Sequence, residues 1–172
     1  LKDRHNARIV AVEALEVPTM LYNGFGDHNI QGIGDKHVPL IHNVTNTDLI
    51  VGVSDKATDR LDVAFNSAAG LRALERQGVN SDLTSMLTNL GYSAICNALA
   101  AIKAAKHWGL GPDDVIVTVA TDGAELYNSE REKVIRRDYP NGFNDAEGEE
   151  VVAKYLVDTT TDPVSYTHLR AH

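Results

Sequence analysis

The chain is short of the features that would make its class obvious. Among 172 residues there is one cysteine, Cys96, and one tryptophan, and aromatic residues make up 6% of the whole. A lone cysteine cannot close an internal disulfide, which points to a reducing, cytoplasmic setting. Positive charge is also in deficit. Sixteen lysines and arginines stand against 24 acidic residues, a formal net charge of −8. The basic residues are scattered singly or in pairs such as Arg136-Arg137, with no stripe to neutralise a phosphate backbone, so a nucleic-acid partner is excluded. No apolar run approaches the roughly 18 residues needed to cross a bilayer, which excludes a membrane span. Residues 1–8 are charged and do not read as a secretory signal, and the first residue is not Met, so the natural start is expected to lie upstream.

What is present suits a globular chain: 43% hydrophobic and 23% charged residues, enough for one core. Residues 164–172 (VSYTHLRAH) read as an in-frame translation of a sequencing-library adaptor, with Pro163 completed by it. The organisation is therefore residues 1–162 as one incomplete domain and 163–172 as a non-native tail.

Residues 7–14 (ARIVAVEA) and 49–53 (LIVGV) are short Val/Ile runs bounded by polar residues, as buried parallel strands are. Residues 114–120 (DVIVTVA) make a third such run. Between them, Ser54 caps a helix whose apolar residues run from Leu61 to Leu74, with Gly70 as its weak point. A short helix follows Asn80 or Ser81. The stripe Ile95, Ala98, Leu99, Ile102, Ala105 and Trp108 marks the clearest helix, with Ser93 as its cap and Lys103, Lys106 and His107 favoured by the dipole at its C-terminal end. Helices near 128–137 and 145–157 complete the pattern, the latter capped by Asp145. Strand, helix and strand alternate with crossover lengths that require a parallel sheet, and three strands cannot complete one. The fold class is thus α/β, a partial parallel sheet flanked by helices.

The glycine-bearing stretch between 24 and 46 is a long loop, and such loops are usually functional. It contains His28-Asn29-Ile30-Gln31-Gly32-Ile33-Gly34-Asp35, which is similar to the H-K-I-Q-G-I-G loop of cysteine synthases. With the upstream I-V-A-V-E strand, the Gly91-Tyr92-Ser93 helix start and a buried strand ending at Asp122-Gly123, the order resembles the fold type II pyridoxal-phosphate (PLP) enzymes, the cysteine synthase and tryptophan synthase beta-like family. The resemblance implies the C-terminal half of a three-layer α/β/α enzyme, a lyase or β-replacement enzyme that binds PLP, acts on a small amino acid and is usually a homodimer.

By the same resemblance Gly32, Ile33 and Gly34 lie against the cofactor, because glycines let the backbone approach where side chains would block it. The family sets a hydroxyl at the end of the last buried strand to meet the pyridine nitrogen. Here Asp122 precedes the glycine and the hydroxyl stands one residue earlier at Thr121, so either can make the contact. A carboxylate would protonate that nitrogen and deepen the electron sink, whereas a hydroxyl leaves it neutral. Neither the lysine that anchors the cofactor nor a phosphate-binding glycine loop is present, so no catalytic residue is assigned and the chain by itself is expected to be inactive.

Other readings stay open. Glu13, at the end of the first strand, could serve as the ribose-binding acid of a nicotinamide-dependent Rossmann oxidoreductase, although Gly24-Phe25-Gly26 and Gly32-Ile33-Gly34 each supply only half of a dinucleotide fingerprint. A non-catalytic ligand-binding domain on the same scaffold is the other alternative. His28, His37 and His42 share one loop, but their spacing fits no zinc pattern and no metal site is assigned. Cys96 is read as a packing residue.

Overall fold

A computed structural model describes residues 2–34 and 36–158 of the chain; the tail read as adaptor-derived lies outside the described residues. After a first turn of helix, α1 (Lys2–His5), the chain enters strand β1 (Val10–Ala14), and a single turn, α2 (Thr19–Tyr22), follows. The long loop then runs to strand β2 (Leu49–Val53), which pairs with β1 in parallel, Val10 against Leu49 and Ala14 against Val53. β2 is buried at every position, whereas Val10, Ala11 and Val12 of β1 are only half-buried. β2 thus lies deeper in the core than β1.

Helices α3 (Asp55–Phe65), α4 (Ala68–Arg76) and α5 (Ser81–Met86) follow β2. Ser54 caps α3 as expected, its Oγ accepting from the Ala57 N–H at 3.1 Å. The long helix expected through Leu74 is broken, and the break falls at Asn66-Ser67, not at Gly70. Ser67 acts as a second cap, accepting the Gly70 N–H at 3.1 Å, and a side-chain cap of this kind satisfies an N–H that a continuous helix would bond internally. Gly70 itself lies inside α4 against the Ala64 carbonyl.

The core helix α6 (Tyr92–Trp108) packs on the sheet, with Tyr92, Ile95, Cys96, Leu99, Ala100 and Ala104 buried. Two expectations are corrected here. Gly91, not Ser93, is the N-cap; Ser93 lies within the first turn and is 2% exposed. The buried face is also turned relative to the expected stripe, so that Ala98, Ile102 and Ala105 are half-buried while Lys103 is inside. Its Nζ donates to the Gly52 carbonyl at 3.0 Å, which supplies the acceptor that a buried ammonium requires. Gly109, left-handed at φ 61°, ends α6.

Residues 114–120 depart most from expectation. Among the described residues the sheet has two strands, and this segment is in neither. An apolar run becomes a strand only where a neighbouring strand shares its backbone hydrogen bonds, and none of the described strands pairs with it; the Val119 carbonyl instead accepts from the Asn97 side chain at 2.9 Å. Its side chains stand in solvent: Val115 is 84% exposed and Val117 89%.

Helix α7 (Asn128–Asp138) and helix α8 (Asp145–Val152), which runs on into a π-helical turn over Ala153–Val157, close the structure against α3 and α4. Asn144, not Asp145, caps α8: its Oδ1 accepts the Ala146 N–H at 2.9 Å, and Glu147 returns a carboxylate to the Asn144 N–H at 3.1 Å. Asp145 is turned outward to Arg72 and Arg76, which hold its carboxyl down at about 2. Asn144→Ala should therefore cost about 1 kcal/mol, read as a lowered urea midpoint at unchanged slope.

Candidate functional site

The Q-G-I-G turn is held from beneath. Ile30 is fully buried in the core, and the Asn29 N–H donates to Asp55 Oδ2 at 2.7 Å while its side-chain amide donates to Asp59 Oδ1 at 2.9 Å. Asp55, Asp59 and Asp62 fall at i, i+4 and i+7, one face of α3. Burial pushes the Asp55 carboxyl up, against the opposing pull of the Asn29 N–H. With its base fixed, the turn passes through Gly32 at φ 89° and Gly34 at φ 72°, a left-handed region that side chains resist. A Cβ on Gly34 would also press the His28 ring, 3.1 Å from Nε2.

Gly32 lies beside Ser93: a Cβ there would sit 3.5 Å from the Ser93 Oγ. Ser93 is in turn hydrogen-bonded to Thr121 Oγ1 at 2.5 Å. Three residues far apart in sequence are thus brought to one place, the glycine turn, the first turn of α6 and the end of the 114–120 run. Asp122 faces elsewhere, its Oδ2 accepting from the Tyr127 hydroxyl at 3.2 Å and its carbonyl accepting the Gly91 N–H at 2.7 Å. Of the five residues read from the sequence, Gly32 and Thr121 meet through Ser93, Ile33 packs against the core, Gly34 faces His28, and Asp122 is turned aside.

The corner that carries Thr121 is clamped by α7. Arg131 donates to both Asp62 oxygens, at 2.8 and 3.0 Å, and to the Ala124 carbonyl at 3.1 Å. Tyr127 stacks on Tyr92 with ring centroids 4.7 Å apart and planes 8° from parallel. Asp59 pairs with Arg137 at 3.0 Å. The acidic face of α3 therefore holds both halves of the site, the glycine turn through Asn29 and the Thr121 corner through Arg131. This anchoring escaped the sequence reading, although three aspartates at helical spacing, Asp55, Asp59 and Asp62, were its visible signal.

A cleft of about 370 Å³ opens beside the turn, walled by Val17, Gly26, Asp27, His28, Gly34 and Lys36. Asp27 and Lys36 form an ion pair across it at 2.7 Å, which holds the Asp27 carboxyl below its ordinary value. Glu13 is not presented to any ligand. It is 2% exposed and both its oxygens accept backbone N–H groups, from Leu21 at 2.8 Å and Met20 at 2.9 Å. His42 Nε2 is 3.3 Å from Thr47 Oγ1. Among the described residues no three His, Cys, Asp or Glu side chains are grouped to hold a metal ion, and no helix is long and apolar enough to cross a membrane.

A parallel two-stranded sheet, with a helix start and a glycine turn brought together beside it, makes a partial α/β fold. The comparison with known proteins is more particular. Over 130 residues, 75% of its length, the chain is 32% identical to cysteine synthase B of Campylobacter jejuni. Those residues span only 36% of that protein, so the chain covers about a third of its relative. No family model and no solved structure matches the chain.

Proposed function

We propose that this chain is part of a PLP-dependent enzyme of the cysteine synthase type, acting on a small amino acid, in which Gly32, Ile33, Gly34 and Thr121 flank the cofactor ring. The observation that carries this reading is the convergence of Gly32, Ser93 and Thr121, supported by the likeness to cysteine synthase B. Two positions of the turn, Gly32 and Gly34, carry no Cβ, and the Thr121 hydroxyl is oriented by a second hydroxyl, Ser93, which supports the reading. When bound, the cofactor supplies an electron sink for the charge left after an α-proton is removed.

What these residues contribute is orientation and restraint. Thr121 Oγ1 would hold the ring nitrogen of a bound cofactor, and as a neutral partner it would favour elimination or replacement at the β-carbon. Asp122 is the alternative contact, but its carboxylate is engaged by Tyr127, which favours Thr121. The lysine and the phosphate-binding loop are expected from a part of the enzyme outside these residues, and the 172-residue chain alone is expected to show no turnover.

Thr121→Ala and Asp122→Ala in the full-length enzyme separate the two contacts. Thr121→Ala should shift the cofactor absorbance and lower kcat by about tenfold to a hundredfold, while Asp122→Ala leaves the spectrum in place. Unchanged spectra and rates in both variants would remove the assignment.

A further inference from the structure

Residues 114–120 belong to neither strand, yet they lead into the corner that carries Thr121, so something other than the sheet fixes its place. Helix α6 does so from three positions. The Gly91 N–H donates to the Asp122 carbonyl at 2.7 Å, the Ser93 and Thr121 hydroxyls share a hydrogen bond, and the Asn97 side-chain amide donates to the Val119 carbonyl at 2.9 Å. Residues 91, 93 and 97 thus meet residues 122, 121 and 119, and the chain runs along α6 against the helix direction.

Two of these ties lie at Thr121 or beyond it, and Asn97 alone holds the chain on the side from which it arrives. Among the described residues no other hydrogen bond reaches residues 115–120. Packing does not take its place, since Val117 and Val119 are 89% and 63% exposed. The base of the tie is firm: Asn97 is half-buried on a helix whose neighbouring Ile95, Cys96 and Leu99 are in the core. Ser93 and Asn97 stand at i and i+4 on one face of α6, a rise of about 6 Å. The two residues from Val119 to Thr121 span at most about 7 Å. The two ties are matched in length, so losing the one at Asn97 lets the approach to Thr121 swing about the Ser93 contact.

We propose that Asn97 is a positioning residue: its amide sets where the Thr121 hydroxyl stands, and through that hydroxyl the orientation of a cofactor ring held there. The second half rests on the proposed function; the first does not. The residue type suits the task, because an asparagine amide donates without carrying charge. An aspartate of the same shape would set a carboxylate oxygen against the Val119 carbonyl, two acceptors with no proton between them, and would push the chain away. An alanine would only release it. The order of effects therefore separates hydrogen bonding from space filling: Asn97→Asp disturbs the corner more where the bond is what matters, Asn97→Ala more where volume is.

The test has one part without cofactor and one with it. In the 172-residue chain, Asn97→Asp should displace the Ala120 and Thr121 amide resonances, and Asn97→Ala should displace them less, while the α8 amides stay in place and show that the fold is kept. Unmoved resonances, or a larger displacement in Asn97→Ala, overturn the proposal. In the full-length enzyme, Asn97→Asp should lower kcat about tenfold with KM within about twofold, and shift the cofactor absorbance in the direction that Thr121→Ala shifts it. Added to Thr121→Ala it should lower kcat no further, because a residue that acts through Thr121 then has nothing left to position. A further loss of about tenfold in the double variant, or an unchanged kcat in Asn97→Asp alone, overturns the proposal. The two readings fail separately: displaced resonances with a cofactor spectrum indifferent to Thr121→Ala keep the tie and remove the proposed function, and unmoved resonances with a spectrum that Thr121→Ala shifts do the reverse.

Discussion

Arg131→Ala should be the most damaging single substitution considered, lowering stability by about 3–5 kcal/mol, because it strands the Asp62 carboxylate in the core without its partner. The Asp62 side chain is fully buried and Arg131 is 14% exposed, so water cannot take the guanidinium's place at little cost. The same substitution frees the Ala124 carbonyl and with it the corner that ends in Thr121. The loss should also depend on pH. Burial raises the Asp62 carboxyl above its ordinary value of 3.8, so the native state holds that proton more tightly than the unfolded chain does. Stability therefore falls as pH rises from 3.8 through the raised native value. Arg131 opposes this shift, so its removal carries the window further upward. Urea midpoints measured at pH 7 and pH 5 should show the variant's deficit shrinking at the lower pH; a deficit that grows on acidification would contradict the buried-charge account.

Gly91→Ala should cost about 1–3 kcal/mol through overpacking. A Cβ at this position would stand 2.6 Å from the Asp122 carbonyl oxygen and 2.7 Å from the Tyr127 ring. Both belong to the corner that α6 holds, so relief comes only by moving that corner away and breaking the Gly91 N–H bond to Asp122. Ser93 and Thr121 should separate as a consequence, and the Tyr92–Tyr127 stack should loosen. Ring chemical shifts of the two tyrosines report this directly. Gly111→Ala is the matched control: nothing stands within 4 Å of its added carbon, and the change should fall within about 0.5 kcal/mol.

The sequence was most legible where one residue type has one physical meaning. Leu49–Val53 reads as a strand because it is a short run rich in β-branched residues and bounded by polar ones, and all five residues are buried. Ser54 reads as a cap and accepts the Ala57 N–H; of Asn80 and Ser81, both open as caps in the sequence, Asn80 takes the role by accepting the Asp82 N–H. Gly32 and Gly34 were singled out by resemblance as a place of close backbone approach, and the structure adds that both are left-handed. The reading failed where two elements compete for one role. Ser93 has the residue type of a cap, yet Thr121 takes its hydroxyl and Gly91 starts the helix. Lys103 has the charge of a solvated residue, yet the Gly52 carbonyl draws it inside. The 114–120 run has the composition of a buried strand, but composition cannot provide a neighbour.

By itself, then, the sequence determined the two paired strands, the helices that follow them and the cap at Ser54, because these follow from side-chain periodicity and capping chemistry within a few residues. Only the tertiary structure decided that Gly32, Ser93 and Thr121 meet and that Asp122 turns away. It alone put three aspartates of one helix face beneath both halves of the site. Those outcomes depend on which buried donors and acceptors find each other across 26 to 78 residues of chain, and burial makes such pairing obligatory without any local pattern announcing it.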